Sequence, residues 1–228
     1  MTFTLHHGDC LEIMAGMDAG SVDAVVTDPP FFAPATHYQS RLDWQRRWSD
    51  MSVLQQWWAG ICDPMARVLK PTGHMLTFCN ADSYPAFYPP MYSRWSKLVC
   101  LVWDKERPGL GRVWRHQHEL IIAARNKGAW EPNDGRLRGD VVRQKATLPR
   151  DREHPVEKPE QLLRQLIEAC CPVGGVVFDP FMGSGTTGEA ALLCGRKFVG
   201  IELDEHYFEI ARRRIDAATA QTRMEMPA

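Results

Sequence analysis

Val-Val-Phe-Asp-Pro-Phe-Met-Gly-Ser-Gly-Thr-Thr, residues 176–187, is the stretch that decides the fold of this chain. Its first three residues form a short apolar run with high strand propensity, and the Asp-Pro pair that follows ends the strand. Gly183 and Gly185 then allow backbone angles and close approaches that a residue with a Cβ resists, and a helix is predicted to begin at Thr186 or Thr187. In an open α/β sheet, nucleotide-like ligands bind at such a turn, beside the unpaired amides of the helix. A Gly-x-Gly turn on its own also occurs in tight connections without a ligand.

The rest of the chain alternates strand and helix patterns. Strands are predicted at residues 3–6, 23–27, 74–79, 98–103, 119–124, 176–178 and 198–202, and helices at residues 10–17, 51–69, 82–95, 159–171, 186–193 and 204–218. Pro64 is expected to kink or split the second helix, and the last ten residues are expected to be frayed. Such alternation is typical of a mostly parallel sheet with helices on both faces, so an α/β fold in a single domain of residues 1–228 is predicted.

The composition narrows the class of protein. The chain has 228 residues, of which 44% are hydrophobic and 24% charged, enough for one globular domain with a sizeable core. Seven scattered cysteines without a Cys-x-x-Cys pair indicate reduced thiols in a cytosol-like compartment. The first residues lack the basic and apolar regions of a signal peptide, and no apolar run approaches the roughly 18 residues of a membrane span. A soluble, cytoplasmic protein is therefore expected.

A second turn presents a carboxylate at a strand end. Asp28-Pro-Pro-Phe31 follows the strand predicted at residues 23–27, and its two prolines permit neither a helix nor a paired strand. Taken alone, this turn is as consistent with a stiff connection that buries its aromatic side chains as it is with a functional site.

A third carboxylate, Glu202, ends the strand that follows the Gly-x-Gly turn. A carboxylate at this place in a nucleotide-binding α/β unit accepts hydrogen bonds from ribose hydroxyls. An ATPase phosphate loop is disfavoured, because Gly185 is followed by Thr186 and not by a lysine. Asp179 disfavours a pyrophosphate beside the turn, so a cationic nucleoside fits better, although dinucleotide binding stays open on this evidence.

The two turns together resemble the motifs of the DNA amino-methyltransferases. Residues 28–31 are similar to the catalytic motif Asp/Asn/Ser-Pro-Pro-Tyr/Phe, and residues 179–186 match the S-adenosylmethionine turn Asp-Pro-Phe-x-Gly-Ser-Gly-Thr. The catalytic motif precedes the cofactor motif, an order similar to the β-class of N6-adenine and N4-cytosine DNA methyltransferases. Further resemblances lie at residues 7–10, 21–23, 67–73, 102–105, 118–121, 154–159 and 200–212. The resemblance implies a Rossmann-like, S-adenosylmethionine-dependent methyltransferase fold with permuted motif order.

The resemblance also implies the chemistry, a direct attack of a flipped-out base on the methyl group of S-adenosylmethionine. An exocyclic amino group is a poor nucleophile, and acceptors such as the Asp28 carboxylate and the Pro29 carbonyl draw its lone pair toward the methyl group. Pro30 stiffens the turn, and Phe31 offers a face for base stacking, worth roughly 1–3 kcal/mol. The implied cofactor residues are Asp9, Cys10, Asp28, Lys158, Asp179, Phe181, Gly183, Ser184, Gly185, Thr186, Glu202 and Leu203.

Some of these cofactor residues have more specific expected roles. Lys158 and Thr186 are expected to contact the methionine carboxylate, Glu202 the ribose, and Asp9 the adenine ring. Cys10 is not expected to act as a nucleophile, because an amino nitrogen attacks the methyl group directly.

Basic residues are concentrated in one segment. Residues 105–153 contain twelve Lys or Arg and seven Asp or Glu, a net charge of +5, whereas the whole chain has a net charge of -1. This segment is predicted to be a short inserted target-recognition region that faces double-stranded DNA. Its candidate phosphate or base contacts are Arg107, Arg112, Arg115, Arg136, Arg138, Arg143 and Lys145. No metal site is expected, because no cysteine lies at ligand spacing from His116, His118 or His154.

The sequence thus predicts a site-specific DNA methyltransferase that makes N6-methyladenine in a short target. Asp28, rather than serine, resembles the adenine branch of the family, whereas Phe31 in place of the commoner tyrosine leaves N4-cytosine methylation open as an alternative. A catalytically silent DNA-binding protein of the same fold is a second alternative. The resemblance suggests a homodimer, and no membrane partner is expected.

Overall fold

The computed structural model describes residues 2–31, 50–109, 113–132, 134, 136, 138–146 and 157–225, with side chains described as far as residue 221. The strands in these ranges are β1 (Phe3–His7), β2 (Val22–Thr27), β3 (Leu69–Cys79), β4 (Lys97–Asp104), β5 (His118–Arg125), β6 (Val141–Arg143), β7 (Val176–Asp179) and β8 (Lys197–Glu202). The helices are α1 (Cys10–Ala15), α2 (Met51–Val68), α3 (Tyr84–Tyr92), α4 (Glu160–Cys170), α5 (Thr186–Leu193) and α6 (Glu205–Glu225).

These strands form one sheet in the order β1-β8-β7-β2-β3-β5-β4-β6. Strand β5 runs antiparallel to its neighbours β3 and β4, and the other neighbouring strands pair in parallel. Helices pack on both faces of the sheet. The predicted α/β class with a mostly parallel sheet is confirmed.

The direction in which the chain crosses the sheet reverses between β7 and β2. From β7 the chain proceeds to β8 on one side, and from β2 it proceeds to β3 on the other side. Open α/β sheets bind ligands outside the carboxyl ends of the strands at such a switch point. Asp179 ends β7 and Asp28 follows β2 directly, so the two turns found in the sequence lie side by side at this position.

Alternation along the strands divides the apolar side chains between two helical layers. In β2, Val25 faces the layer of α1, α2 and α3, whereas Ala24 and Val26 face the layer of α4, α5 and α6. Phe178 and Val177 of β7 divide in the same way. Because these strands are covered on both faces, their sequences are short, continuous apolar runs rather than alternating ones.

Helix α2 is a single helix of 18 residues that contains Pro64, so it is not split there. Proline inside a helix costs about 3 kcal/mol. Apolar side chains on both sides of the proline offset this cost, because Trp58 and Ile61 before it and Met65 and Val68 after it are at most 1% exposed.

Two boundaries and one additional strand are the main differences from the prediction. Strand β3 begins at Leu69 rather than residue 74, and its pairing with β2 has a register shift where Pro71 and Gly73 lie. Helix α6 continues to Glu225, beyond the predicted end near residue 218. Strand β6 was not predicted, because three residues cannot carry a periodic pattern; its pairing with β4 defines it.

The described parts of the basic segment at residues 105–153 lie at both ends of the strands. We call the side where the parallel strands end the carboxyl edge, and the side where they begin the opposite edge. The connection from β4 to β5 lies at the carboxyl edge, since β4 runs in the same direction as β3. After β5 the chain is at the opposite edge, where the Trp130 amide donates to the Thr72 carbonyl at 2.8 Å. Strand β6 then returns the chain to the carboxyl edge at Arg143. The predicted contact Arg112 and the loop at residues 32–49 lie outside the described residues.

In the described part of the chain, no helix is both long and apolar enough to cross a membrane. Nor does this part contain a group of three or more His, Cys, Asp or Glu side chains arranged to hold a metal ion.

Candidate active site

A cleft of about 580 Å³ opens at the carboxyl ends of β2, β7 and β8. Pockets of this size hold small organic ligands. Fourteen of the predicted site residues line it, and these are Asp9, Cys10, Asp28, Pro29, Pro30, Phe31, Lys158, Asp179, Phe181, Gly183, Ser184, Thr186, Glu202 and Leu203. The topology thus brings together residues that are separated by up to 194 positions in the sequence, from Asp9 to Leu203.

Asp28 has two carboxylate oxygens in different surroundings. Its Oδ2 forms an ion pair with the ammonium of Lys158. Its Oδ1 is buried and has no hydrogen-bond partner in the described residues. Pro29 is buried, and the ring of Phe31 lies 6.0 Å from the Lys158 ammonium. A buried acceptor without a partner is costly in a folded protein, so its presence in the cleft points to a ligand that donates to it.

A second carboxylate and a second ammonium extend the ion pair away from the cleft. Glu119 of β5 lies 3.4 Å from Lys158 through its Oε2, and its Oε1 accepts a hydrogen bond from Lys105 at 2.5 Å. The Lys158 side chain is only 7% exposed. Asp28, Lys158, Glu119 and Lys105 therefore form a row of alternating charges that runs from the cleft to the end of β4.

This row determines the protonation of its members. Burial raises the pKa of Asp28, and the Lys158 ammonium opposes that rise. Burial disfavours the charged forms of Lys158 and Glu119, but their partners outweigh it: the pKa of Lys158 is raised and the pKa of Glu119 is lowered. Lys158 and Glu119 are thus held as an ion pair behind the carboxylate of Asp28.

Asp179 lies on the other side of the switch point and is 2% exposed. Its Oδ1 accepts hydrogen bonds from the Thr27 hydroxyl at 2.6 Å and from the Phe181 amide at 3.0 Å. Burial raises the pKa of Asp179 to about 7, although hydrogen bonds from Thr27 and Thr187 favour the ionised form. A cation bound next to Asp179 would stabilise that ionised form.

Glu202, at the end of β8, is held by the backbone of both neighbouring turns. Its Oε2 accepts from the Gly183 amide at 2.9 Å, and its Oε1 accepts from the Asp204 amide at 2.9 Å. Burial raises the pKa of Glu202, and these amides oppose the rise. The carboxylate is therefore fixed in direction, and its remaining lone pairs can accept from hydroxyl groups of a ligand.

Asp9 and Cys10 form the edge of the cleft at the start of α1. Asp9 is the N-cap of this helix, and its Oδ1 accepts from the Leu11 amide at 2.8 Å and the Glu12 amide at 3.3 Å. Burial, and to a lesser extent the charge of Asp9, raises the pKa of Cys10 to about 12. The side chain is therefore a neutral thiol.

Behind the glycine-rich turn, Arg214 of α6 holds the hydroxyls at the start of α5. Its Nη1 donates to the Thr186 hydroxyl oxygen and lies 3.4 Å from Ser184 Oγ, and its Nη2 lies 3.2 Å from Glu157. The side chains of Arg214 and Glu157 are 12% and 9% exposed. Because arginine donates to the Thr186 oxygen, the Thr186 hydroxyl hydrogen stays available to donate into the cleft.

Gly185 differs from the other predicted site residues, because it does not line the cleft in the described structure. It is the N-cap of α5 with φ of 84°, and a Cβ built on it would lie 2.8 Å from the Cα of Ala211 in α6. Gly185 thus allows α6 to pack closely against the turn. Its visible role is structural, and only the other glycine of the pair, Gly183, lines the cleft.

Sequence reasoning missed several residues of the site. Trp57 of α2 packs against Phe181 with ring centroids 5.7 Å apart, and Tyr207 lines the cleft beside Glu202. Glu119 and Arg214 were also not predicted. Glu119 lies in the stretch at residues 118–121 that resembles the family, which was a signal for a role that the sequence alone did not specify.

The charges of the cleft indicate the kind of ligand. Among the described residues, six carboxylates and one ammonium line it: Asp9, Asp28, Glu157, Asp179, Glu202, Asp204 and Lys158. This excess of negative charge disfavours a pyrophosphate and favours a cationic ligand. S-adenosylmethionine fits these features. Its hydroxyl groups can donate to the fixed carboxylates, its apolar parts can pack against Phe181 and Trp57, and its positive sulfonium suits the negative charge of the cleft. The fold and the site therefore define a methyltransferase that uses a sulfonium nucleoside and an Asp-Pro-Pro-Phe turn.

Comparison with known proteins identifies the family. The profile of a DNA methylase family, the N6/N4 methyltransferases, matches residues 22–213. YubD of Escherichia coli K12, described as a candidate methylase, is 32% identical over 92% of this chain and 88% of YubD. The DNA adenine methyltransferase YhdJ of the same strain is 26% identical over 98% of this chain and 86% of YhdJ. The crystal structure of the M1.HpyAVI-SAM complex matches with a TM-score of 0.70 and 25% identity, covering 94% of this chain and 100% of that one.

The chain belongs to the N6/N4 DNA methylase family. It is an S-adenosylmethionine-dependent DNA methyltransferase, and the predicted family, fold and cofactor are confirmed.

Proposed function

We propose that this protein methylates the N6 amino group of adenine in a short target sequence of double-stranded DNA. The observation that carries the proposal is the buried Oδ1 of Asp28, an acceptor without a partner in the described residues, at the point where β2 opens into the cleft. An amino group that enters the cleft would supply the missing donor.

The residues of the catalytic turn act on that amino group. Asp28 Oδ1 and the Pro29 carbonyl accept its two hydrogens, which turns the nitrogen lone pair toward the reacting methyl group. The fixed backbone of the two prolines maintains the direction of both acceptors. Phe31 provides a stacking face that offsets part of the few kcal/mol needed to flip the base.

The other half of the cleft would hold the cofactor. When bound, S-adenosylmethionine supplies an electrophilic methyl group on a positively charged sulfur. Asp179, Phe181 and Gly183 surround its methionine and sugar parts, Glu202 accepts from the ribose, and Asp9, Cys10 and Leu203 border the adenine. Ser184 and Thr186 donate to the methionine carboxylate, with Arg214 behind them.

Adenine is preferred to cytosine because of the residue at position 28. Asp28 places an ionisable acceptor at the amino group, as in the adenine branch that the sequence resembles, and the relative YhdJ is named a DNA adenine methyltransferase. Mass spectrometry of nucleosides from DNA treated with the protein and S-adenosylmethionine tests this assignment. We expect 6-methyladenine; 4-methylcytosine without 6-methyladenine would overturn the adenine assignment and favour the cytosine alternative.

The DNA-facing side is proposed to be the carboxyl edge of the sheet. Arg107, Arg115, Arg143 and Lys145 are exposed near this edge, which also contains the mouth of the cleft. By contrast, Arg138 forms an ion pair with Asp134, and Arg136 lies 3.9 Å from Glu168 near the end of α4, toward the opposite edge. We therefore propose the connection after β4 and the residues that follow β6 as the DNA-contacting parts of the segment 105–153.

An aromatic side chain supports this orientation. Trp114 is 92% exposed and Val113 is 83% exposed, on the connection between β4 and β5 that also carries Arg107 and Arg115. An aromatic ring beside basic residues suits a surface where bases are exposed. We expect Trp114→Ala to weaken binding to DNA with an unpaired base at the target more than Val113→Ala does, measured by fluorescence anisotropy. Equal affinities of both variants and the wild type would count against this orientation.

We also propose that residues 1–228 form one catalytic domain, that the protein acts on DNA in the cytoplasm, and that it assembles as a homodimer. Light scattering after size-exclusion chromatography measures the oligomeric state directly. A mass of about 26 kDa at micromolar concentration would reject the dimer.

A further inference from the structure

We propose that Glu119 is a positioning residue for the carboxylate of Asp28, acting through the ammonium of Lys158. The inference rests on the proposed function, because it concerns how the acceptor for the target amino group is held. It changes the expected role of Lys158, which the sequence predicts to meet the methionine carboxylate.

The four charged side chains follow one another in the order Asp28, Lys158, Glu119 and Lys105, starting at the cleft. Lys158 contacts Asp28 Oδ2 on one side and lies 3.4 Å from Glu119 on the other. Glu119 is fixed in turn by Lys105 at 2.5 Å, and the Lys105 ammonium lies over the Trp103 ring at 5.1 Å. Each member has a charged partner of opposite sign, so two carboxylates and two ammoniums are brought into a largely buried site with no net charge.

This arrangement makes the two oxygens of Asp28 inequivalent. A carboxylate with free rotation would present either oxygen to the base and would spend part of the time in unproductive directions. Lys158 fixes Oδ2, which leaves the buried Oδ1, without a partner in the described residues, as the acceptor for the amino group. Lys158 has three donors of its own, and Glu119 restricts the ammonium to the position between the two carboxylates.

The position of Glu119 explains why it reaches the site. It is the second residue of β5, the antiparallel strand, and the start of an antiparallel strand lies at the edge where parallel strands end. Strand β3 separates β5 from β2, and Lys158 spans this distance across the buried ring of Phe78, which lies 5.1 Å from the ammonium.

The charges predict opposite effects for two substitutions. In the part of the chain that the structure describes, the charged or ionisable groups that act on Asp28 are Lys158, Glu119, Lys105, Asp179 and Cys79. Glu119 favours the protonated form of Asp28 and Lys105 favours the ionised form. The acid limb of the pH profile for kcat should therefore shift to lower pH in Glu119→Gln and to higher pH in Lys105→Gln.

The test measures methyl transfer to duplex DNA over pH 5.5–8.5, together with calorimetric affinity for S-adenosylmethionine. We expect Glu119→Gln to lower kcat about ten- to a hundred-fold, because a small misplacement of an acceptor has effects of that size. Affinity for the cofactor should stay at the wild-type value. Glu131→Gln is the matched control: Glu131 pairs with Arg125 at the far end of β5, and its substitution should change neither quantity.

A double substitution tests whether Glu119 acts through Lys158. Residues that act in one network give non-additive effects, so adding Glu119→Gln to Lys158→Gln should lower kcat little further. Additive losses in the double variant would overturn the inference. It would also be overturned if the acid limbs of Glu119→Gln and Lys105→Gln shifted in the same direction, or if Glu119→Gln behaved like the control Glu131→Gln. A wild-type protein that transfers no methyl group to DNA would instead overturn the proposed function, so the two failures are distinguishable.

Discussion

At the scale of single residues, the site depends on carboxylates that are buried for different reasons. Asp28 is partly buried, with one oxygen paired and a buried one that has no partner in the described residues, whereas Asp179 is buried with Thr27 and a backbone amide as donors. The first arrangement leaves an acceptor for a substrate, and the second leaves a carboxylate whose ionised form a bound cation would stabilise. Substitutions at the two positions should therefore have different consequences.

Substitution of Asp28 should abolish catalysis and preserve binding. Asp28→Ala removes the acceptor for the target amino group, and we expect methyl transfer to fall at least about a hundred-fold, as for other fixed groups that stabilise a transition state. Affinity for DNA and for S-adenosylmethionine should persist, because other residues provide most contacts. Filter binding and calorimetry check both affinities. Equal methyl-transfer rates in wild type and variant would mean that Asp28 is not the acceptor for the amino group.

Substitution of Asp179 should stabilise the free protein at high pH. Because the pKa of Asp179 is raised from 3.8 to about 7, the folded state binds more protons than the unfolded state between these values, and stability falls as pH rises through that window. The full penalty is present above pH 7 and corresponds to at most about 4 kcal/mol. Asparagine keeps an acceptor for Thr27 and Phe181 but cannot ionise. Urea unfolding of Asp179→Asn should therefore show a gain at pH 8 and little gain near pH 4.

The same substitution should weaken binding of the cofactor, because it removes a negative charge next to a sulfonium. Calorimetry at pH 8 measures this loss. A stability difference that does not vary with pH would contradict the proposed ionisation of Asp179, whatever the affinity shows.

At the scale of secondary structure elements, the glycine-rich turn has two glycines with separate tasks. Gly185 has φ of 84° and abuts Ala211 of α6, whereas Gly183 has φ of 53° and no atom within 4 Å of a Cβ built on it. Alanine is strained at either position, at about 1–2 kcal/mol. Only at Gly185 does the added Cβ also force α6 away from the turn.

We therefore expect Gly185→Ala to lower the free energy of unfolding by about 1–3 kcal/mol more than Gly183→Ala does. Gly183→Ala serves as the control for backbone strain, and urea denaturation of both variants measures the difference. Equal losses would mean that α6 moves away from the turn without cost, and the packing role assigned to Gly185 would be wrong.

At the scale of the whole molecule, the sequence predicts the parts of the site that follow local rules. Strand ends, a glycine turn and a proline turn are local patterns, so Asp28, Asp179 and Glu202 were found without the structure. Glu119 escaped, because its place depends on which strand is a neighbour and on its antiparallel direction. The partner of Lys158 escaped for the same reason: no local pattern indicates that it meets Asp28, 130 positions away.

The distribution of charge over the molecule leads to a prediction about DNA binding. A protein that releases counterions from phosphates loses affinity as salt rises, and each lost phosphate contact lowers the slope of log K against log salt by about one. Arg143 is 75% exposed at the carboxyl edge and lies 3.8 Å from Asp104, whereas Arg138 is 31% exposed and forms a closer ion pair with Asp134 at 2.5 Å. Arg143→Ala should lower this slope by about one, and Arg138→Ala should leave it unchanged, in anisotropy titrations with duplex DNA between 50 and 200 mM salt. The reverse result would place DNA at the opposite edge of the sheet, away from the cleft, and would be incompatible with a base reaching Asp28.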